Sequence, residues 1–513
     1  MRRMINKNSF EKQKFYSKNK KTENSENISS DYNDQNFDFY DISIPTKFEC
    51  KGILNEIHSG QNSSEKLSSI ITRFILESNS ILSSGDLTNR IVDLLGPMDD
   101  SVQYATIKDY LDKEANNANS PILKIRDDAY LGRPKAKQII SFDIKNQLNR
   151  QGFIISDKKI ISPETYDKDK IRQLHLAART DKYQSLKKLV TKEESSLIEY
   201  FANGSDINLE QLKPRIEEVH TGTWQNALFR YATLLWSVPV SSGFGRRTRF
   251  LVWDDSNNKL IGLFALGDPV FNLNSRDTWI GWNSADRKKR LYNVMDIFVL
   301  GAVPPYNQLL GGKLVSLLAT SSEVRGIIKR KYSGKRTVIE NAYKNPQLAL
   351  LTTGSALGKS SIYDRIVYKK QLMYQKIGTS QGWGHFQFTN DIFEEIRFYL
   401  SLNHPGLDLR YKFGQGPNWK IRTVRTGLTE LGLSGELLRH GIRREIYGIP
   451  LAYNFREFLL GHEKKLDIID LRIKDLYGFF RSRWLYGRAE RKPEYREFKR
   501  ENVATLIRNN VSK

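Results

Sequence analysis

Cysteine is nearly missing. Cys50 is the single one in 513 residues, so an internal disulfide and a cysteine-cluster metal site are both excluded. Long apolar runs are missing too. The best candidate, Val294 to Val303, ends at Pro304-Pro305, well short of the roughly 20 residues a membrane helix needs. The N-terminus is basic but no apolar stretch follows it, so it does not read as a signal peptide. A nucleophile elbow, a zincin helix, a P-loop and a Rossmann glycine signature are absent as well. The expectation is a cytoplasmic protein with no membrane partner.

Acidic residues are also scarce: 58 Asp and Glu face 81 Lys and Arg, leaving a formal net charge of +23. A surplus on this scale attracts polyanions and speeds encounter with them. Nucleic acid, DNA in the first place, is therefore the first candidate partner. An anionic membrane surface and a merely solvated basic face rank below it. With 39% hydrophobic and 27% charged residues the chain is polar for its size, yet long enough for roughly two to four domains.

The pattern along the chain predicts an α+β protein. Residues 1–38 are rich in Asn, Ser, Lys and Glu with few aliphatics, and read as a disordered tail. Residues 39–165 read as a helical, winged-helix-like domain. Ile70, Ile71, Phe74 and Ile75 form one apolar stripe and Ile91, Leu94 and Leu95 another. Within it, residues 137–163 give a helix and then a short hairpin whose tip is Asp157, Lys158 and Lys159. Residues 166–238 form a helical connector in which His175 has no partner at metal-ligand spacing and reads as a packed or surface histidine. Residues 239–390 mix strand and helix signals. Residues 391–513 read as a basic, helical C-terminal region, with NWKIRTVRTGLTELGL and SGELLRHGIRREIYG compatible with a helix-turn-helix. Further on, RIKDLYGFFRSRWLYGRAERKPEYREFKR interleaves cations with aromatic rings, which suits phosphate contact plus base stacking. The candidate nucleic-acid contacts are Arg246, Arg247, Arg443, Arg444, Arg481, Arg483, Arg488 and Arg491.

Two constellations carry possible chemistry. Across residues 247 to 388 the order hairpin, strand, glycine turn, helix, strand, turn, helix, hairpin resembles the GNAT acyltransferase fold. That resemblance implies a pyrophosphate cradle at the helix start, where Gln308, Gly311, Gly312 and Lys313 are the candidate anion-binding residues. Gln308 and Gly311 match the family signature, whereas Lys313 stands where the family has Gly or Ala. Tyr363 falls where that family often keeps a tyrosine general acid. The plainer alternative is that Gly311 and Gly312 only let the helix pack closely. The second constellation is acidic: Asp254, Asp255, Asp268, Asp277 and Asp296. Asp268 and Asp277 are its best catalytic candidates, since gathered carboxylates can hold Mg²⁺ for phosphodiester chemistry. Turn formation and structural ion pairing are the competing explanation. No metal site or cofactor is assigned.

Several long motifs then stand together. SVPVSSGFGRRTRFLVWDD, KLIGLFALGDPVFNLNSRDTWIGW, GAVPPYNQLLGGKLV and FGQGPNWKIRTVRTGLTELGL, followed by LLRHGIRREIYGIPLA, closely resemble the DruA-like family of the bacterial Druantia anti-phage defence system. The resemblance covers roughly His175 to Leu460. It implies a bacterial defence role beside other defence proteins, including a large helicase-like partner, and supplies no established active site. The expected function is a nucleic-acid-binding component of such a system. The alternatives are a GNAT-like acyl-CoA-binding enzyme and a metal-dependent nuclease or strand-transfer enzyme.

Overall fold

The computed structural model describes residues 64–512 apart from 96–99, 118, 157, 164–165, 241–244, 338–340 and 404–418. The expected N-terminal tail, Cys50 and the hairpin-tip residue Asp157 lie outside the described residues. All described residues belong to one unit, Ile44–Lys513.

The N-terminal layer begins with helix Ser64–Glu77, strand β1 (Leu82–Ser83) and helices Ser84–Leu95 and Asp100–Ala115. Strands β2 (Ile122–Arg126) and β3 (Ala129–Gly132) follow, and the three strands pair antiparallel in the order β1-β3-β2. Ile70, Ile71, Phe74 and Ile75 pack with Leu87, Ile91, Ile107, Leu111 and Tyr130 into a core of their own. Helix Ala136–Arg150 and the antiparallel hairpin of β4 (Ile154–Ser156) and β5 (Lys159–Ile161) come next, as the periodicity predicts. Their apolar faces, including Ile140, Ile144, Leu148 and Ile160, are buried against Ile392, Ile396, Val424 and Leu428 of helices Asn390–Asn403 and Trp419–Glu430. Segments about half the chain apart therefore share one core.

The centre is a seven-stranded mixed sheet. Its strands in chain order are β6 (Pro214–Val219), β7 (Arg247–Asp254), β8 (Lys259–Gly267), β9 (Val294–Ala302) and β10 (Leu350–Gly354). A separate two-strand ladder, β11 (Val367–Tyr368) with β12 (Gln371–Leu372), intervenes before β13 (Gln375–Thr379) and β14 (Glu445–Pro450). The spatial order is β13-β14-β10-β9-β8-β7-β6. Every neighbouring pair is antiparallel except β9 with β10, which run parallel. Residues 239–390 contribute five of these strands, while β6 and β14 come from outside that interval. β8 reads as a continuous apolar run because helices cover both faces of the sheet there.

One face lies under helices Gly311–Leu318, Ser322–Tyr332 and Ile473–Phe480, where Phe250, Phe264, Met295, Ile297 and Leu351 meet Leu314, Leu317, Val324 and Leu476. On the other face, helices Leu176–Ile198, Trp224–Ala232 and Asn502–Ser512 cover Leu251 and Leu263. Residues near helices Asn274–Ile280 and Phe455–Leu460 cover Val294 and Leu350 of β9 and β10. Between these two covers the same face carries Arg247, Arg249 and Asp296, all half-buried.

The predicted helix-turn-helix is absent. Helix Trp419–Glu430 is followed by the short 3-10 turn Gly435–Leu438, and the chain then runs extended into β14. EIYGIP has the aromatic and β-branched content of a strand, and its burial between β10 and β13 overrides the helical spacing.

Gly204 fixes the C-terminal segment to the rest. Its amide donates to the Phe498 carbonyl at 2.8 Å, and a Cβ at Gly204 would overlap the Tyr495 carbonyl oxygen. Gly204→Ala should cost about 2 kcal/mol or more. Gly326→Ala, in an open helical position, should be neutral or slightly stabilising. Paired thermal melts followed by circular dichroism check the contrast, and equal melting temperatures would refute it.

Candidate functional site

Parallel strands β9 and β10 pair only over Val294–Leu350, Met295–Leu351 and Asp296–Thr352. Beyond that point the Thr353 hydroxyl donates to the Ile297 carbonyl, at 2.9 Å. The two strands part there, leaving a fork. On the other edge of β9, Ala265 faces Val299 and Leu266 faces Ile297, so Phe298 is an extra residue in a β-bulge. Bulges bend a strand and re-aim a side chain. Here the Arg247 guanidinium stacks on the Phe298 ring, 3.8 Å from its centroid. Gly267, opposite Asp296, leaves room for that ring: a Cβ there would stand 3.1 Å from it.

Asp296 lies at the base of the fork and accepts a hydrogen bond from the Thr352 hydroxyl at 2.8 Å. Burial pushes its carboxyl up from 3.8 to about 6, outweighing Thr352 and the nearby Arg276 and Arg247, which favour the anion. Around it the field is positive. Burial first, then repulsion from Arg249, lowers Arg247 to about 10, with Asp296 opposing. Lys182 is lowered by burial and then by Arg230, Arg249 and Arg247; Arg249 is lowered by burial and Arg230. These cations come from helix Leu176–Ile198, helix Trp224–Ala232 and β7. Arg249 also donates to the Asn226 side-chain oxygen at 3.3 Å.

Tyr363 shares the fork from the other side of Thr353. It is buried, stacked on Tyr374 at 4.7 Å and edge-on to Tyr447 at 5.2 Å. Burial pushes its hydroxyl up to about 12; the Thr353 side chain opposes this and the Asp296 charge adds to it.

Asp268 and Asp277 are placed differently. Asp268 accepts from Arg246 Nε at 2.7 Å and from the Arg246 amide at 2.8 Å. Asp277 accepts from Arg276 at 2.7 and 2.8 Å and from Arg287 at 2.9 Å. Arg276, fully buried, also holds the carbonyls of Val270 and Phe271, so this group ties the preceding loop to its helix. Among the described residues no three His, Cys, Asp or Glu side chains gather closely enough to hold a metal ion.

The glycine turn meets the C-terminal arginines. Arg488 Nε donates to the Gln308 carbonyl at 2.8 Å, and the Lys313 amine sits over the Trp484 ring at 4.4 Å. Lys313 is only 8% exposed; burial, then Arg365 and Arg483, lower its protonation. The Gly311 amide already donates to Tyr306 and the Lys313 amide to Leu310. A Cβ at Gly311 would lie 2.6 Å from the Tyr306 carbonyl oxygen, so close packing requires this glycine, and Gly312 has Ile362 3.1 Å from its Cβ position. Arg481 instead bonds Glu210 at 2.6 Å. Arg483, Arg491 and Arg443 are exposed, whereas Arg444 is half-buried and donates to the His175 ring at 3.1 Å.

Sequence reasoning named Asp296 but favoured other acids, and it missed Lys182, Arg230, Arg249 and Thr352. The available signal was a carboxylate inside the apolar strand run VMDIFVL.

The raised Asp296 gives a pH signature. Between pH values near 4 and 6 the native protein keeps a proton that the unfolded chain releases, so this group's contribution to stability falls as pH rises through that window. Asp296→Asn should remove that slope and stabilise the protein at pH 8 by about 3 kcal/mol. Urea titrations at pH 4.5 and 8 measure it, and parallel curves for variant and wild type would contradict it.

The family model described as Druantia protein DruA matches residues 165–461, a stretch that contains Arg247, Asp296, Phe298 and Thr352. The Druantia protein DruA of Escherichia coli (strain UMEA 4076-1) is 41% identical over 372 residues, covering 72% of this chain and 92% of that protein. With more than half of its length inside the family model and a relative at this identity, the chain belongs to the Druantia protein DruA family.

Proposed function

We propose that this protein is a DNA-binding component of the Druantia anti-phage defence system, acting with other defence proteins that include a helicase-like partner. Family membership supports the defence role. The observation that carries DNA binding is the cluster of cations beside the fork. There Lys182, Arg247 and Arg249 are lowered first by burial and then by the charge of neighbouring cations, with Arg230 acting on Lys182 and Arg249, and the carboxylate facing Arg247 is Asp296. Such crowding is unfavourable in the isolated protein, and a polyanion relieves it while releasing its own counterions. The exposed Arg443, Arg483 and Arg491 add to the positive surface.

A second reading, a GNAT-like enzyme that binds acyl-CoA, draws support from the sheet. The antiparallel run β6 to β9 leads through a glycine turn and a helix into parallel β10. A carboxylate pushed up to about 6 at the fork suits proton transfer. The buried Lys313 beneath Trp484, and the turn amides already bonded within the chain, weigh against a pyrophosphate cradle. A nuclease or strand-transfer reading has less support, because the oxygens of Asp268 and Asp277 already hold arginines.

Fluorescence anisotropy with labelled duplex DNA across a salt series tests the first reading. Affinity should fall steeply and log-linearly with salt, and Arg230→Gln with Arg249→Gln should flatten the slope by about 2. Absence of binding at low salt would rule it out. Calorimetry with acetyl-CoA tests the second reading, which a lack of heat would eliminate.

A further inference from the structure

A second basic face lies away from the fork. Hairpin β4–β5 packs on the 3-10 turn Gly435–Leu438, which in turn packs on helix Trp419–Glu430. Phe153 and Ile160 of the hairpin segment share one core with Leu437, Leu438, Val424 and Leu428, so hairpin, turn and helix hold fixed positions. Ser162, just past β5, lies against Gly441, which leaves no room there for a side chain.

The outward side of this assembly is rich in exposed cations. Lys158 and Lys159 are exposed at the hairpin tip, Arg422 and Arg425 are exposed one helical turn apart, and Arg439 and Arg443 are exposed on the connecting chain. Among the described residues of these elements, Glu436 pairs with Arg439 at 3.2 Å and Glu430 accepts from the Asn403 side chain at 3.0 Å. Trp383 is bridged to Arg439 through the backbone and is 39% exposed, with the Arg425 guanidinium 5.4 Å from its ring. The alternating hairpin also leaves Ile154 and Ile161 exposed.

We propose that hairpin β4–β5 and helix Trp419–Glu430 together grip the backbone of duplex DNA, the hairpin tip on one phosphate row and the helix arginines on the other. The inference rests on the DNA-binding reading and adds a second contact surface to it. Cations carried on two protruding elements suit the rows of a duplex, whereas a single strand is usually tracked along a groove with stacked rings.

The test is anisotropy with the full chain on duplex and single-stranded oligonucleotides of equal length, across a salt series. The double variants are Lys158→Ala with Lys159→Ala, and Arg422→Ala with Arg425→Ala. The control is Lys187→Ala with Lys188→Ala, which removes two exposed lysines from helix Leu176–Ile198. Each test variant should weaken duplex binding by about 10-fold or more and flatten its salt slope by about 2, while the control changes less and all three melt like wild type. Wild-type binding with unchanged slopes in both test variants would overturn the second surface and leave the DNA reading standing. Loss confined to the single strand would overturn the choice of duplex. Failure of the wild-type protein to bind either oligonucleotide would overturn both readings.

Discussion

The parallel pairing of β9 with β10 is the constraint from which most of the structure follows. Two adjacent parallel strands cannot be joined by a tight turn, so the chain must cross over the sheet between them. Residues 303–349 do this, carrying helices Gly311–Leu318 and Ser322–Tyr332 onto one face, where Leu314, Leu317 and Val324 are buried. Past Asp296 and Thr352 the two strands stop pairing with each other, and the fork opens between them. A carboxylate inside an apolar strand is tolerated only at such an opening, where Thr352 supplies a hydrogen bond and Arg276 and Arg247 supply positive charge.

The fork in turn depends on chain segments that arrive late. β14 enters between β10 and β13, pairing Gly354 with Ile446 and Gln375 with Gly448. Without it, β10 would end the sheet on one side with its amides unpaired. Helix Ile473–Phe480 then packs across Gly311–Leu318, and the following segment brings Trp484 over Lys313. The turn that resembles a phosphate cradle is thus covered by the C-terminal region. Its glycines are explained by the approach of Tyr306 and Ile362 before any ligand is invoked.

Much of this was legible beforehand, and the reasons for the rest are specific. The stripe Ile70, Ile71, Phe74, Ile75, the hairpin after helix Ala136–Arg150 and the strand, glycine turn and helix from Val294 onward follow from local period and turn chemistry. EIYGIP was misjudged because RHGIRREIYG has helix-compatible spacing, and only the vacancy between β10 and β13 makes it a strand. The sharing of one core by Ile144 and Ile396 is a long-range fact with no local signature. Asp296 differs from Asp268 and Asp277 not in its neighbours along the chain but in what the fold places opposite it. Arginines reach the other two, and a threonine hydroxyl reaches Asp296.

The same distinction governs how the charge of +23 should be understood. Arg179 is buried and holds the carbonyls of Asn510 and Arg172 at 2.5 Å and of Ser237 at 3.1 Å, joining the C-terminal helix to the helical connector. Arg325 holds the Leu451 carbonyl, and Arg276 and Arg246 fasten loops through carboxylates. Guanidinium suits this work because it has five donors in a planar fork and stays charged when partly desolvated. Such arginines add to the net charge yet have few donors left for a phosphate. On the proposed reading, the cations open to a polyanion are those gathered at the fork or exposed on the hairpin and helix Trp419–Glu430. A count over the sequence cannot separate these classes, because the separation is made by which carbonyls and carboxylates the fold delivers to each guanidinium.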